Sequence, residues 1–223
     1  MSGDAVAKVL GALPPILWVA LAIYIVFLLR DTIAASLGRL ANFEAFGVKF
    51  SMSGGQAMSA AIELARKIAD PNLEVPEADR QRALDRANRE RALLEGAELL
   101  WVDDKPSNDR NEARMLRSFG ALITFACTTD EALTALQNAA EQQQPFHLIL
   151  SDIARDIPAP DPEAGIKMLA RLREEKIFLP VVFYIAHPKP GAPVPAGSLG
   201  VTNRPDQLLH LVLDALARTR GKT

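Results

Sequence analysis

The chain has 223 residues, of which 49% are hydrophobic and 23% are charged, and its formal net charge is −2. This length suits one domain of ordinary size with an appendage, or two small domains. The near-neutral charge argues against nucleic-acid binding driven by bulk electrostatics. The single cysteine, Cys127, excludes an intramolecular disulfide, a cysteine-based zinc site and an iron–sulfur cluster.

Residues 1–30 are predicted to form an N-terminal membrane anchor. An uncharged run from Val9 to Leu29 supplies the about 20 apolar helical residues that a bilayer core of about 30 Å requires. A cleaved signal peptide with small residues at 34–36 is the alternative, although the run exceeds the roughly 7–15 apolar residues of a signal core. The residues expected in the membrane include Leu10, Trp18, Tyr24 and Leu29.

The flanking positive charges predict the orientation of this anchor. Lys8 precedes the apolar run, whereas Arg30, Arg39 and Lys49 follow it. Positive residues concentrate on the cytoplasmic side of membrane helices. We therefore expect a single-pass protein of the bacterial inner membrane with its C-terminal part in the cytoplasm.

Residues 31–97 are predicted to form a juxtamembrane amphipathic helix followed by a helical linker or stalk. In residues 32–46, apolar side chains three and four positions apart form one helical face. That face is expected either to lie on the bilayer or to pack on another copy or on the cytoplasmic domain. A second amphipathic helix is predicted over 56–69, and a linker bracketed by prolines follows at 71–76.

The segment 77–95 is rich in arginine and acidic residues and is predicted to be one helix that Gly96 ends. Oppositely charged pairs four residues apart, such as Asp85 and Arg89, stabilise a solvated connector helix. A self-association helix is the alternative, although sustained heptads are absent.

Residues 98–218 alternate between strand and helix patterns, and residues 219–223 form a short tail. Strands are predicted over 98–102, 121–127, 146–151, 179–186 and 199–202, and helices over 107–119, 128–142, 162–175 and 206–218. The first strand, ELLWV, is continuously apolar, as a strand covered on both faces requires. The alternation predicts an α/β fold with a doubly wound, five-stranded parallel sheet of the flavodoxin type.

Three carboxylates follow two of these strands. Asp103 and Asp104 come directly after the first strand, and Asp152 follows the third. The carboxyl ends of parallel strands form the site of such folds, so these acids are expected to share one crevice. Their mutual repulsion calls for a cation, and a hard divalent ion such as magnesium suits oxygen ligands. Arg204, after the fifth strand, is expected to reach the same crevice.

Several motifs in order resemble the receiver domain of bacterial response regulators. They are LLWVDD at 99–104, LILSD at 148–152, Gly165, LPVVFYIA at 179–186 and the pair Arg204-Pro205. The resemblance implies that Asp152 accepts a phosphoryl group from a histidine kinase. It also implies that Asp103, Asp104, Asp152 and the carbonyl of Ala154 bind magnesium, and that Arg204 contacts the phosphoryl group. A cis peptide bond before Pro205 is a further feature of that family. The family is not enzymatic in the ordinary sense.

The sequence departs from the receiver pattern in three places. The position of the family's switch serine or threonine is Ile185, which has no hydroxyl group. Arg204 replaces the family's lysine and is planar rather than a point charge. Four prolines in 187–195 prevent a helix of useful length before the fifth strand. The acceptor pocket is thus retained, whereas the readout elements are altered.

Four functions remain open at this stage. The first is a phosphorylatable receiver that acts through self-association or a protein partner, and the second is a structural domain whose acids are balanced by Arg204 and Arg155. The third is an oligomerising membrane effector, in which assembly of the domain clusters the anchor helices. The fourth is a hydrolase of a nucleotide or NAD-like ligand that uses Asp152 or Glu163, although the sequence has no glycine loop for phosphate.

Overall fold

The computed structural model of this chain describes residues 53–68, 70–188 and 193–220, which fall within one compact unit. The predicted membrane anchor at 1–30 and the predicted helix at 32–46 lie outside the described residues. Within the described ranges, no helix combines the length and apolar character needed to cross a bilayer.

The described elements follow the order predicted from the sequence, with ends that differ by a few residues. They are α1 (Gly54–Ile68), α2 (Glu77–Arg89), α3 (Arg91–Leu94), β1 (Glu98–Val102), α4 (Arg110–Ser118), β2 (Leu122–Ala126), α5 (Thr129–Glu141), β3 (Leu148–Ser151), α6 (Ala164–Glu174), β4 (Val181–Tyr184), β5 (Gly200–Thr202) and α7 (Pro205–Arg220). The single helix predicted over 77–95 is divided at Glu90 into α2 and α3, which corrects the sequence interpretation.

The five strands form one all-parallel sheet in the order β2-β1-β3-β4-β5. This is the doubly wound order of the flavodoxin type, in which the strand order reverses beside the first strand. Val102 at the end of β1 pairs with Ser151 at the end of β3. The residues that follow these two strands therefore emerge side by side, which confirms the predicted sheet and its crevice.

Both faces of the sheet are covered, as the continuous apolar strands predicted. Leu99 and Trp101 of β1 lie in the same cluster as side chains of α4 and α7, whereas Leu100 and Val102 face the cluster that includes α5 and α6. Side chains of β1 alternate between these two clusters because successive residues of a strand point to opposite faces. All four side chains are fully buried.

Helices α1 and α2 precede the sheet in the chain and pack on the α4 and α7 side of it. Met58 of α1 and Ala87 of α2 are fully buried in the same cluster as Trp101. Burial of a side chain the size of methionine contributes about 1.5–3 kcal/mol relative to exposure. These two helices are therefore docked on the domain, in contrast to a solvated connector.

The connection between β4 and β5 contains no helix in its described parts, 185–188 and 193–199. The prolines of this segment lack the N–H donor that a helix interior needs, so the prediction from the sequence is confirmed for those parts.

Candidate functional site

Asp103 and Asp152 lie together at the carboxyl edge of the sheet. The backbone N–H of Asp152 donates to the carbonyl oxygen of Val102 at 3.1 Å, which extends the β1–β3 ladder to the first residue after the strands. Both side chains line a cavity of about 90 Å³. The other residues that line it are Ala65, Ile68, Asn108, Asp109, Glu112, Tyr184, Ile185, Ala186 and Asn203.

The two carboxyl groups are held by backbone donors at the start of their loops. Oδ1 of Asp103 accepts the N–H of Lys105 at 2.5 Å, and Oδ1 of Asp152 accepts the N–H of Ile153 at 2.6 Å. Burial raises the pKa of Asp103. Burial, followed by the negative charge of Asp103, raises the pKa of Asp152 to about 6. These acids are thus poised to gain from a cation, because desolvation and like charge both disfavour their ionised forms.

Gly165 allows α6 to begin directly against the Asp152 loop. A side chain at this position would clash with the carbonyl oxygen of Asp152, and its Cβ would lie 3.0 Å from the Cα of Ile153. The N–H of Gly165 donates to the carbonyl oxygen of Ile153 at 2.8 Å. The glycine singled out in the sequence is therefore explained by this close approach of two backbones.

The structure separates Asp104 from the other two predicted acids. Its Oδ2 atom accepts the backbone N–H of Asp156 at 2.8 Å, and its side chain does not line the cavity. Ala154, the predicted backbone ligand, lies in the exposed part of the loop after Asp152.

Two further acids line the cavity and were not singled out in the sequence. Asp109 and Glu112 are both buried, and one carboxyl oxygen of each, Oδ2 and Oε2 respectively, is buried without a hydrogen-bond partner. The other oxygen of Glu112 accepts the hydroxyl of Tyr184 at 2.9 Å. We call the cavity that Asp103, Asp109, Glu112 and Asp152 line the acid cavity.

Burial controls the protonation of both added acids. It raises the pKa of Glu112 to about 7. It also raises the pKa of Asp109 well above its ordinary value, and the charge of Asp103 adds to that shift. A sequence clue to Glu112 does exist, because it is followed by Leu116 and Phe119 at spacings of four and three, on the buried face of α4.

Arg204 lies away from the acid cavity, contrary to the sequence prediction. Its Nη2 atom donates to Oδ2 of Asp206 at 2.6 Å and to Oδ2 of Asp79 at 2.9 Å, and its side chain does not line the cavity. Asp79 belongs to α2, which the sequence placed in a solvated linker. These two carboxylates accept charge-assisted hydrogen bonds from the guanidinium of Arg204, which was expected to lie in the crevice. We name Arg204, Asp79 and Asp206 the Arg204 clasp.

Arg155 is a buried cation in the loop that follows Asp152. It is 2% exposed, and its Nη2 atom donates to the hydroxyl of Thr129 at 3.0 Å. Burial lowers the pKa of Arg155, whereas the charges of Asp152 and Asp103 act in the opposite direction. It therefore offsets part of the negative charge of these two acids through space, as one sequence hypothesis anticipated.

The other predicted features of the site have mixed outcomes. Ile185 lines the cavity and has no hydroxyl group to offer, and its backbone N–H donates to the carbonyl oxygen of Thr202 at 3.0 Å. The cis peptide bond expected before Pro205 is absent, and a cis bond lies before Pro158 instead.

The donor chemistry at the cavity fits a magnesium ion. Magnesium is usually bound by one or two carboxylates and retains several water ligands. Asp103 and Asp152 supply two such carboxylates, and the unpartnered oxygens of Asp109 and Glu112 add to the local demand for positive charge. In the part of the chain that the structure describes, no three acidic, histidine or cysteine side chains are arranged to hold a metal by themselves.

Solved structures similar to this chain are receiver domains. A CheY-like receiver domain protein from Methanospirillum hungatei shares 20% identity with a TM-score of 0.44, covering 57% of this chain and 99% of the other. The N-terminal domain of a response regulator/sensory box/GGDEF protein from Carboxydothermus hydrogenoformans shares 21% with a TM-score of 0.43, covering 56% and 97%. The chemotaxis response regulator CheY4 of Vibrio cholerae shares 21% with a TM-score of 0.40, covering 56% and 98%.

No protein-family model and no curated protein matches the chain. The assignment of a receiver-like fold therefore depends on the parallel sheet in the order β2-β1-β3-β4-β5 and on the acids at its carboxyl edge.

Proposed function

We propose that the described domain is a regulatory module in which Asp152 accepts a phosphoryl group. The observation that carries the proposal is the convergence of Asp103 and Asp152 on one cavity at the carboxyl edge of a receiver-ordered sheet. Asp152 has a pKa of about 6, so most of its population is ionised and nucleophilic at neutral pH. The role is that of a phospho-acceptor and not that of an enzyme.

In the proposed transfer, a carboxylate oxygen of Asp152 attacks the phosphorus of a phosphohistidine on a partner kinase. The bond between the histidine nitrogen and phosphorus breaks, the nitrogen takes a proton from solvent, and an acyl phosphate forms on Asp152. Asp103, Asp152 and the carbonyl of Ala154 would hold magnesium. When bound, magnesium supplies positive charge that neutralises the phosphoryl oxygens. Arg155 contributes a second positive charge from behind the loop.

Beryllium trifluoride, which mimics an acyl phosphate on a carboxylate, tests this proposal. We expect the full-length chain in detergent to bind it in the presence of magnesium, as measured by fluorine NMR. Asp152→Asn should abolish binding because an amide cannot replace the carboxylate oxygen. Glu163→Gln, a change at an exposed acid near the same loop, is the matched control and should leave binding intact. Absence of binding by the native chain at millimolar magnesium would overturn the proposal.

A structural domain without phosphorylation is the second candidate, and two observations favour it. Arg204 is held in the Arg204 clasp, and Ile185 presents no hydroxyl to the cavity. Under this candidate, beryllium trifluoride fails to bind while the native chain remains folded by circular dichroism.

We also propose that the chain is anchored in the bacterial inner membrane and assembles with itself. The support is the apolar run from Val9 to Leu29 and the positive charges that follow it. The anchored chain should stay in the membrane fraction after a carbonate wash. A mass measurement of the detergent-solubilised protein tests assembly, and a strictly monomeric particle would exclude it.

A further inference from the structure

Helix α1, the first of the helices that precede the sheet, borders the acid cavity. Ala65 and Ile68, from the last turn of α1, line the cavity together with Asp103 and Asp152. The remaining inner face of α1 is buried, with Met58 and Ala61 fully inaccessible. The side of the cavity that α1 occupies is thus lined by apolar side chains, of which Ala65 is buried and Ile68 is 45% exposed.

Two local contacts fix α1 in this position on α4. The side-chain amide of Asn111 donates to the carbonyl oxygen of Ala60 at 2.9 Å, which uses an acceptor in the middle of α1. At the other end, Gly54 lies so close to the ring of Phe119 that a Cβ atom would clash with it. Since Phe119 is only 3% exposed, its ring has little room to move aside. The packing of α1 against Phe119 therefore requires a glycine as the first residue of the helix.

A second set of contacts connects α1 to the Arg204 clasp through α2. Arg80 of α2 donates to the hydroxyl of Ser59 on α1 at 2.5 Å. One residue earlier, Asp79 accepts from Arg204 at 2.9 Å. Helix α1 thus lines the cavity, and α2 both contacts α1 and binds the cation that the sequence assigned to the phosphoryl group. We name α1 and α2 the helical cover.

We propose that the helical cover is an autoinhibitory element that must leave the cavity before Asp152 can be phosphorylated. This inference rests on the proposed phospho-acceptor role of Asp152. A phosphoryl group carries about −1.5 to −2 charge, more than the carboxylate that it replaces, and placing that charge against Ala65 and Ile68 is unfavourable. The modified state therefore favours an open cover.

The expected size of the effect follows from the population of the open state. Apparent affinity falls by the fraction of molecules that are competent to bind. A variant that unseats the cover should bind beryllium trifluoride and magnesium about 10-fold more tightly if the native cover is open about one tenth of the time. By linkage, binding must also open the cover of the native chain.

The test uses the full-length chain in detergent and two variants outside the acid cavity. Gly54→Ala introduces the clash with Phe119, and Asp79→Asn removes the charge that Arg204 binds from α2. Asp85→Asn, on α2 but hydrogen-bonded only within its own helix to Gln81, is the matched control. Affinity for beryllium trifluoride with magnesium is measured by calorimetry, and amide hydrogen exchange is followed over residues 54–68.

The proposal expects tighter binding by Gly54→Ala and Asp79→Asn, unchanged binding by Asp85→Asn, and faster exchange in α1 when the native chain is saturated. Faster exchange in α1 of the variants without tighter binding would overturn the autoinhibitory role and leave the phospho-acceptor role standing. Unchanged exchange in α1 of the saturated native chain would also overturn it. Failure of every folded variant to bind would overturn the phospho-acceptor role, and this inference with it.

Discussion

The acid cavity and the Arg204 clasp both contain carboxyl groups, but only the clasp pairs its carboxyl groups with a cation. In the cavity, four carboxyl groups lie together, and within the described residues none of them forms an ion pair with a cation. In the clasp, one guanidinium binds two carboxylates at 2.6 and 2.9 Å. The sequence placed Arg204 among the acids, whereas the fold assigns it to a different pair.

The difference has a direct electrostatic consequence. Burial without a paired cation raises the pKa of Asp152 to about 6 and that of Glu112 to about 7. In the clasp, the hydrogen bond to Asp206 raises the pKa of Arg204 and thus favours its charged form. A bound cation would therefore stabilise the ionised acids of the cavity, whereas the charges of the Arg204 clasp already compensate one another. This contrast teaches that a cation that follows another strand of the same sheet need not neutralise the acids at its carboxyl edge.

The largest expected effect is a loss of stability as pH rises, which originates in the acid cavity. The folded state holds a proton on Glu112 up to pH about 7, whereas in the unfolded chain this glutamate has its ordinary pKa of 4.5. Between these values the native state binds more protons, so the free energy of unfolding must fall as pH increases. This group contributes about 3 kcal/mol of stability below pH 4.5 that is lost above pH 7.

Glu112→Gln isolates that contribution because glutamine keeps an acceptor for Tyr184 and cannot ionise. Urea denaturation at pH 5 and pH 8 should show a smaller loss for the variant than for the native chain, and the loss that remains is expected from Asp109 and Asp152, whose pKa values are also raised. Equal pH dependence in the two proteins would contradict the assignment to Glu112.

An intermediate effect is expected from the Arg204 clasp. Arg204→Ala leaves Asp206, which is 2% exposed, without its cation. The loss of a charged hydrogen-bond partner for a buried acid should lower the free energy of unfolding by about 2 kcal/mol. Urea denaturation at pH 7 measures it. Arg82→Ala, which removes an exposed partner of Asp79, is the control and should cost less than about 1 kcal/mol. Equal losses would mean that the clasp is no stronger than a surface pair.

The smallest effect separates Asp104 from Asp103. Asp104 accepts a backbone N–H outside the cavity, so Asp104→Asn, which keeps an acceptor there, should destabilise the fold by about 1 kcal/mol or less. Its affinity for magnesium should fall less than that of Asp103→Asn, whose side chain lines the cavity. Titration calorimetry with magnesium compares the two, and a larger loss for Asp104→Asn would place the metal outside the acid cavity.

Features that depend on short-range patterns were predicted well. The apolar run ELLWV and the later apolar runs predicted the strands. The alternation of strands and helices predicted a parallel sheet, in which Asp103 lies beside Asp152. Helix α5 begins at a similarly local contact, in which the hydroxyl of Thr128 accepts the N–H of Glu131 at 3.1 Å. Each of these follows from neighbours a few residues apart or from the handedness of parallel sheets.

Features that depend on distant partners were not predicted. Glu112 belongs to a helix, where a charged residue is usually solvated, and the apolar spacing that marks its buried face does not identify Tyr184 of β4 as its partner. Asp79 and Arg204 are 125 residues apart, and no local pattern connects them. The docking of α1 and α2 also depends on the shape of the surface that α4 and α7 present.

The sequence by itself determined that this chain has a parallel α/β domain with acids at the carboxyl edge of its sheet, because helix and strand patterns are encoded in local periodicity, and its ordered motifs supplied the resemblance to a receiver domain. Only the tertiary structure decided which charges meet. It turned Arg204 toward Asp79 and Asp206, brought Asp109 and Glu112 to the cavity, and laid α1 across it. Electrostatic pairing falls off with distance in space, and distance along the chain does not report it.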